Sequence, residues 1–185
     1  MKNRIWITAM LLVSLLVMAA CGTDNEKDQK GTENNNASEE KVIVDENTKI
    51  EESMTEEELE EIALAVLEAN VKYAETEELD KYLNTLSSEA NNEETIASIE
   101  ELFDAFNLDY DLLDVEIQSI THEEATIFVT QKTVATEIVD GYQFKHHIVD
   151  ATHTLINENG NYKIYTTEVH QESIQYLDAN GEPLE

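Results

Sequence analysis

The chain has 185 residues, with 41 Asp and Glu against 11 Lys and Arg, a formal net charge of −30. So acidic a protein lacks the basic stripe that nucleic-acid recognition needs, and its field repels anionic surfaces. Its single cysteine excludes an internal disulfide, so the fold must rest on its core.

The first element is a targeting segment. Lys2 and Arg4 precede the apolar run Ile5–Met18, and Ala19 and Ala20 lead to Cys21. A short basic region, an apolar stretch and small residues form a secretory signal. The run falls short of the ~20 apolar residues of a membrane span. Val17-Met18-Ala19-Ala20-Cys21 resembles the lipobox of bacterial lipoproteins, with Met18 in the place where leucine is usual. The resemblance implies a signal peptide over 1–20, removed on export, and a diacylglyceryl group on the Cys21 sulfur. It also implies palmitate-type acyl chains in the bilayer, which contribute ~0.8 kcal/mol per buried CH₂. The domain then faces outward from the cell membrane, in an organism of the Gram-positive type. Without Lys2 and Arg4 the balance is 9 Lys against 41 acids, or −32, and no arginine remains. Small neutral or cationic ligands suit such a chain better than anionic ones.

Residues 21–54 read as a lipidated cysteine followed by an acidic tether. Gly22–Asn47 is mostly Asp, Glu, Lys, Asn, Thr, Ser and Gly and buries too little apolar area to fold alone. Val42-Ile43-Val44 is its one apolar cluster.

Residues 55–185 form the folded unit, helices first. Thr55 with Glu58 is a capping-box pair, and Leu59, Ile62, Ala63, Val66, Leu67, Asn70 and Tyr73 follow at helical spacing. Thr76 reads as the N-cap of a second helix carrying Leu79, Tyr82, Leu83 and Leu86. Asn92 reads as the cap of a third, with Ile96, Ile99, Leu102, Phe103 and Phe106 on one face.

The period then becomes two. Leu113, Val115 and Ile117 alternate with acids, and Ala125–Val139, Tyr142–Ile156 and Tyr162–Tyr176 follow as long strands. Asp140-Gly141 and Asn159-Gly160 are hairpin signals. The expected class is α+β, three N-terminal helices packed on a bent four-stranded antiparallel sheet. This order and patterning resembles the NTF2-like fold, also called SnoaL-like or cystatin-like, in which a bent sheet wraps helices into a cone. The resemblance implies an enzyme, a binding module or an accessory domain of an exported protein, and fold alone does not choose.

Two-residue turns at both hairpin signals would pair Val129 with Thr152, Ile156 with Lys163 and Asp150 with Val169. One face, expected against the helices, then carries Leu113, Val115, Ile117, Ile127, Val129, Thr133, Phe144, Ile148, Asp150, Thr152, Ile156, Tyr165 and Val169. The other carries Phe128, Val134, His147, Val149, Ala151, His153, Leu155, Ile164, Glu168, His170 and Glu172. A bulge would reverse the assignment beyond it.

Three constellations follow. His146, His147, His153 and His170 with Glu168 and Glu172 hold metal-ligand chemistry but no zinc spacing, so they read as surface pairs and no metal or cofactor is expected. Asp150, His146, Gln131, Thr133, Thr152 and Tyr165 form a candidate pocket inside the cone. Phe128, Val149 and Leu155 form an apolar sheet face suited to a homodimer. With no nucleophile elbow, P-loop or dinucleotide fingerprint, the leading reading is a membrane-anchored, non-enzymatic module that binds a ligand or protein near the cell envelope. The alternatives are a small-molecule lyase or isomerase using Asp150 and His146 as acid and base, and a cation-binding surface protein.

Overall fold

The computed structural model describes residues 49–178 and 181–184. The signal segment, Cys21, most of the tether and Val42–Val44 lie outside the described residues. Ile50 and Met54 pack against the main core, and the Ile50 N–H donates to the Gly160 carbonyl at 2.6 Å. The folded unit thus already includes residue 50.

Helix α1, Glu56–Glu75, starts on the expected capping box. The Glu58 carboxylate accepts from the Thr55 N–H at 2.7 Å, and the Glu58 N–H donates back to the Thr55 hydroxyl. Glu56, Glu57 and Glu58 sit at the positive end of the helix dipole. The residues on its i, i+3, i+4 stripe are buried, from Leu59 through Ile62, Ala63, Val66, Leu67 and Asn70 to Ala74. Thr76 ends this helix rather than capping the next, its hydroxyl donating to the Lys72 carbonyl at 2.9 Å. Helix α2, Leu79–Asn84, has no side-chain cap and no fully buried residue. Helix α3, Glu93–Ala105, is capped as expected by Asn92, whose side chain accepts from the Glu94 and Thr95 N–H groups.

Strands β1 (Phe106–Ile120), β2 (Glu124–Ile138), β3 (His147–Glu158) and β4 (Asn161–Val169) form one antiparallel sheet in chain order. Phe106 belongs to β1 and not to α3. Register shifts between β1 and β2 fall at Asn107/Leu108, Leu112/Asp114 and Ile117/Ser119, and one between β3 and β4 falls at Thr154/Leu155. Each such bulge adds bend and twist, which curls the sheet around α1. After β4 the chain makes a 3₁₀ turn, Gln171–Ser173, and β5, Gln175–Tyr176, returns to pair with His147 and Ile148.

Asn159-Gly160 forms the expected tight hairpin, with φ of +58° and +88°, the left-handed pair that a type I′ turn requires. Ile156 faces Lys163 as expected. Asp140-Gly141 does not close a two-residue hairpin. A turn joins Val139 to Tyr142, but the chain rejoins β2 only at His147. Tyr142 and Phe144 instead pack on Phe106, with ring centroids 5.7 and 5.3 Å apart. Aromatic packing wins over the ladder there.

The result is a one-residue correction of register. Val129 pairs with Ala151 and Ile127 with His153. Val149, Ala151, His153 and Leu155 therefore face the helices, while Asp150, Thr152 and Thr154 face outward. Beyond the shift in the β3–β4 ladder, Val169 pairs with Ala151, not with Asp150. The core joins the α1 stripe to Ala125, Ile127, Val129, Ala151, Leu155, Tyr162 and Ile164. A second cluster gathers Ala105, Phe106 and Leu108 with Leu102, Tyr110, Ala135 and Phe144. A fully buried side chain of this size contributes roughly 1.5–3 kcal/mol.

Candidate functional site

The cone is filled. Ile62, Val66, Leu67, Ile127, Val129, Leu155 and Tyr162 are each under 2% exposed. The Tyr162 hydroxyl donates to the Thr121 carbonyl, and burial pushes its pKa up to about 12.

Toward the other end of α1 the interior turns polar. Asn70 donates to the Thr85 hydroxyl at 2.7 Å, and that hydroxyl donates to the Tyr82 carbonyl at 2.6 Å. At the surface edge of this region the Tyr110 N–H donates to the exposed Glu75 carboxylate at 3.0 Å. Burial raises the Tyr82 phenol, which also bonds Asn70, and it raises the Tyr110 phenol, helped by neighbouring Tyr82 and Glu75. Gln131 donates to the buried Thr133 hydroxyl at 3.2 Å, and Thr133 faces Tyr110 across β1 and β2. The buried Asn70 and Thr85 thus satisfy one another, as buried polar groups must. The signal for them was Asn70, a polar residue on the apolar stripe of α1, which needs a partner once buried.

The six candidate pocket residues do not converge. Gln131 and Thr133 lie on the inner face. Asp150 and Thr152 lie on the outer face, because the register differs by one residue. The Asp150 carboxylate accepts from the Thr130 hydroxyl at 2.8 Å, and its N–H donates to the Ser173 hydroxyl at 2.8 Å. The Thr152 hydroxyl bonds His170 Nε2 at 3.1 Å. Tyr165 is 37% exposed, at the residue the bulge leaves over. His146 precedes β3, and its carbonyl accepts from the Leu177 N–H at 2.8 Å.

The histidines scatter in the same way. His153, expected on a surface pair, is 8% exposed, its Nδ1 2.8 Å from the Thr167 hydroxyl. Desolvation pushes its pKa down to about 4. The His147 Nδ1 pairs with the Lys145 carbonyl, and His170 lies against Phe128 with ring centroids 5.8 Å apart. Among the described residues no three or more His, Cys, Asp or Glu side chains are grouped to hold a metal ion. Among the same residues no helix is long and apolar enough to cross a membrane.

The residues of the expected dimer face also part. Val149 and Leu155 are 7% and 0% exposed under the chain's own helices, while Phe128 alone faces outward.

A concave feature does exist at the rim of the sheet. Phe144, Lys145, His146, Tyr176, Leu177, Asp178 and Leu184 line a groove of about 340 Å³. No sequence signal marked it, since β5 brings Tyr176 and Leu177 beside His146 and His147 only after the 3₁₀ turn.

Comparison with solved structures supports the NTF2-like fold. A proposed scytalone dehydratase from Novosphingobium aromaticivorans aligns with TM-score 0.54 and 10% identity, over 68% of this chain and 89% of that one. A protein of unknown function with a cystatin-like fold from Nostoc punctiforme aligns with TM-score 0.51 and 15% identity, over 63% and 92%. A proposed dehydratase of the NTF2-like family from Streptomyces avermitilis gives 0.50 and 14%, over 61% and 94%. At such identities the likeness concerns the fold alone. A comparison with curated proteins finds no match. Residues 65–177, from the middle of α1 to the end of β5, match the family described as anti-sigma-I factor RsgI9, C-terminal domain. The chain therefore belongs to the anti-sigma-I factor RsgI9 C-terminal domain family.

Proposed function

We propose that this protein is a non-catalytic binding module at the outer side of the cell membrane, held there by lipid on Cys21, and that it recognises its partner with its surface. The observation that carries the surface reading is the filled cone, in which Tyr162, Ile62, Leu67, Ile127 and Leu155 occupy the space an enclosed ligand would need. Asp150, half of the acid–base pair a lyase would use, faces outward and accepts from the Thr130 hydroxyl, while His146, the other half, precedes β3 at the rim of the sheet. The family supports an accessory or recognition part within a signalling protein. The anchoring rests on the small-residue site before the chain's one cysteine, and two acyl chains provide the two-signal attachment that one chain cannot.

The test is metabolic labelling of the full chain with tagged palmitate in a Gram-positive host, followed by protease treatment of intact cells. Wild type takes up label and is digested from outside. Cys21→Ala loses the label and is released or remains uncut. Label retained in Cys21→Ala, or a domain shielded from protease until lysis, overturns the reading.

A further inference from the structure

Strand β1 ends the sheet. Among the described residues it pairs with β2 alone, so the other edge of Phe106–Ile120 is open to a further strand. Such an edge presents backbone N–H and C=O groups that a second chain can bond. The Tyr110 N–H already finds a partner off the ladder, in the Glu75 carboxylate.

The two rows of side chains along this edge differ in kind. Asp109, Asp111, Asp114 and Glu116 are exposed and share the outer face of the sheet, opposite Val134, Lys132, Thr130 and Phe128 of β2. Lys132 offsets Asp111, whereas Asp114 and Glu116 face neutral residues. On the inner face Val115 and Ile117 lie opposite the buried Val129 and Ile127. Val115 is nevertheless 36% exposed, because β2 has a strand on each side and β1 has one only. Leu113, the residue left over at the Leu112/Asp114 shift, is 53% exposed.

We propose that the β1 edge binds an extended segment of a protein partner in which basic residues alternate with apolar ones. The segment adds a strand to the sheet through main-chain hydrogen bonds. Its basic side chains meet Asp114 and Glu116 on the outer face. Its apolar side chains cover Val115 and Ile117 on the inner face, as a period of two requires. Charge complementarity selects this occupant over two others. A second copy carries the same net charge of −30 and would set one acid row against another. The chain's own Val42-Ile43-Val44 is apolar, but its flanks, Glu39-Glu40-Lys41 and Asp45-Glu46, are net acidic and meet the same repulsion. The proposal rests on the reading of the domain as a module that recognises its partner with its surface, and it names that partner's chemistry.

The experiment titrates a peptide of alternating Lys and Val into the full chain in mild detergent, reading backbone ¹H–¹⁵N shifts and heat. About eight residues, at ~3.4 Å each, match the stretch from Asp109 to Glu116. Saturable shifts should concentrate on β1, and added salt should weaken them. Control peptides of the same length carry Glu in place of Lys, the same residues in separate blocks, or methyl groups on the backbone nitrogens. Each should bind at least about tenfold more weakly. Asp114→Asn combined with Glu116→Gln should weaken the alternating peptide at least about tenfold. Both positions are exposed, so the fold is kept. Absence of β1 shifts up to about 10 mM peptide, equal binding of any control peptide, or insensitivity to the double variant overturns the proposal. So do β1 shifts that follow protein concentration without peptide, which assign the edge to a second copy. So do β1 shifts on Ile43→Asp without peptide, which assign it to the chain's own segment. Palmitate labelling and protease access are unaffected by any of these outcomes, so failure here is distinguishable from failure of the anchored-module reading.

Discussion

Val129 and Ala151 face each other across β2 and β3, and both side chains point at α1. This pairing settles which residues of β3 are core and which are surface. Leu155, fully buried on the same side, should then be expensive to truncate, with Leu155→Ala destabilising by about 2–5 kcal/mol. Thr154→Ala, one residue away on the outer face, should stay within about 0.5 kcal/mol. Urea unfolding of the two variants checks the register, since the alternative pairing reverses the order.

Acid should weaken the fold through His153. Its folded pKa of about 4 lies below the ~6.5 of an unfolded histidine. Between those values the unfolded chain binds more protons than the native one, so stability falls as pH drops from about 6.5 to 4 and levels off below. Carboxylates titrate nearby, so the measurement is a difference. His153→Leu should flatten the profile of melting temperature against pH across that window, relative to wild type.

The capping box should be felt in both directions. Thr55→Ala removes a hydroxyl that accepts from the Glu58 N–H and should cost about 1 kcal/mol. The Thr55 N–H, then its hydroxyl, hold the Glu58 carboxyl below its usual range. That contribution is present above the unfolded pKa and is lost as pH falls through the lower folded value. Glu58→Gln should remove it, which comparison of the acid limbs of thermal melts will show.

A chain beginning at Thr55 should be less stable than one beginning at Lys49. The shorter form loses the packing of Ile50 and Met54 and the Ile50–Gly160 hydrogen bond. The expected difference is about 1–3 kcal/mol by denaturant unfolding, from two partly buried apolar side chains and one bond. Equal midpoints would show that residues 49–54 contribute nothing.

Self-association through the outer face of the sheet is proposed to centre on Phe128, which lies against His170 beside Thr152. Phe128→Glu should shift the sedimentation equilibrium of the full chain toward monomer without altering its melting temperature by more than a few degrees. A wild type that is monomeric at high concentration removes the proposal.

Much of the fold was legible in order and period. The Thr55–Glu58 box, the Asn92 cap, the apolar stripe of α1 and the Asn159-Gly160 turn are local devices. Each is stabilised by residues within a few positions of one another, so the sequence states them directly. The change from helical to alternating period placed the helices before the strands, and that order determined the class. The lone Cys21 after small residues is likewise a local signal, and it remains the basis of the anchoring proposal.

What only the tertiary structure decided are the matters that depend on one residue of register or on distant packing. Phe106, from the start of β1, draws Tyr142 and Phe144 away from the β2 ladder. That non-local contact sets the offset of β3, and because side chains alternate with a period of two, the shift turned Asp150 and Thr152 outward. It turned Val149, His153 and Leu155 inward. The extra residue Tyr165 and the 3₁₀ turn at Gln171–Ser173 acted in the same way, carrying Tyr176 and Leu177 back beside His146 to make a groove. Bulges and returns of this kind are chosen by the packing of residues far apart in the chain, which no local pattern encodes.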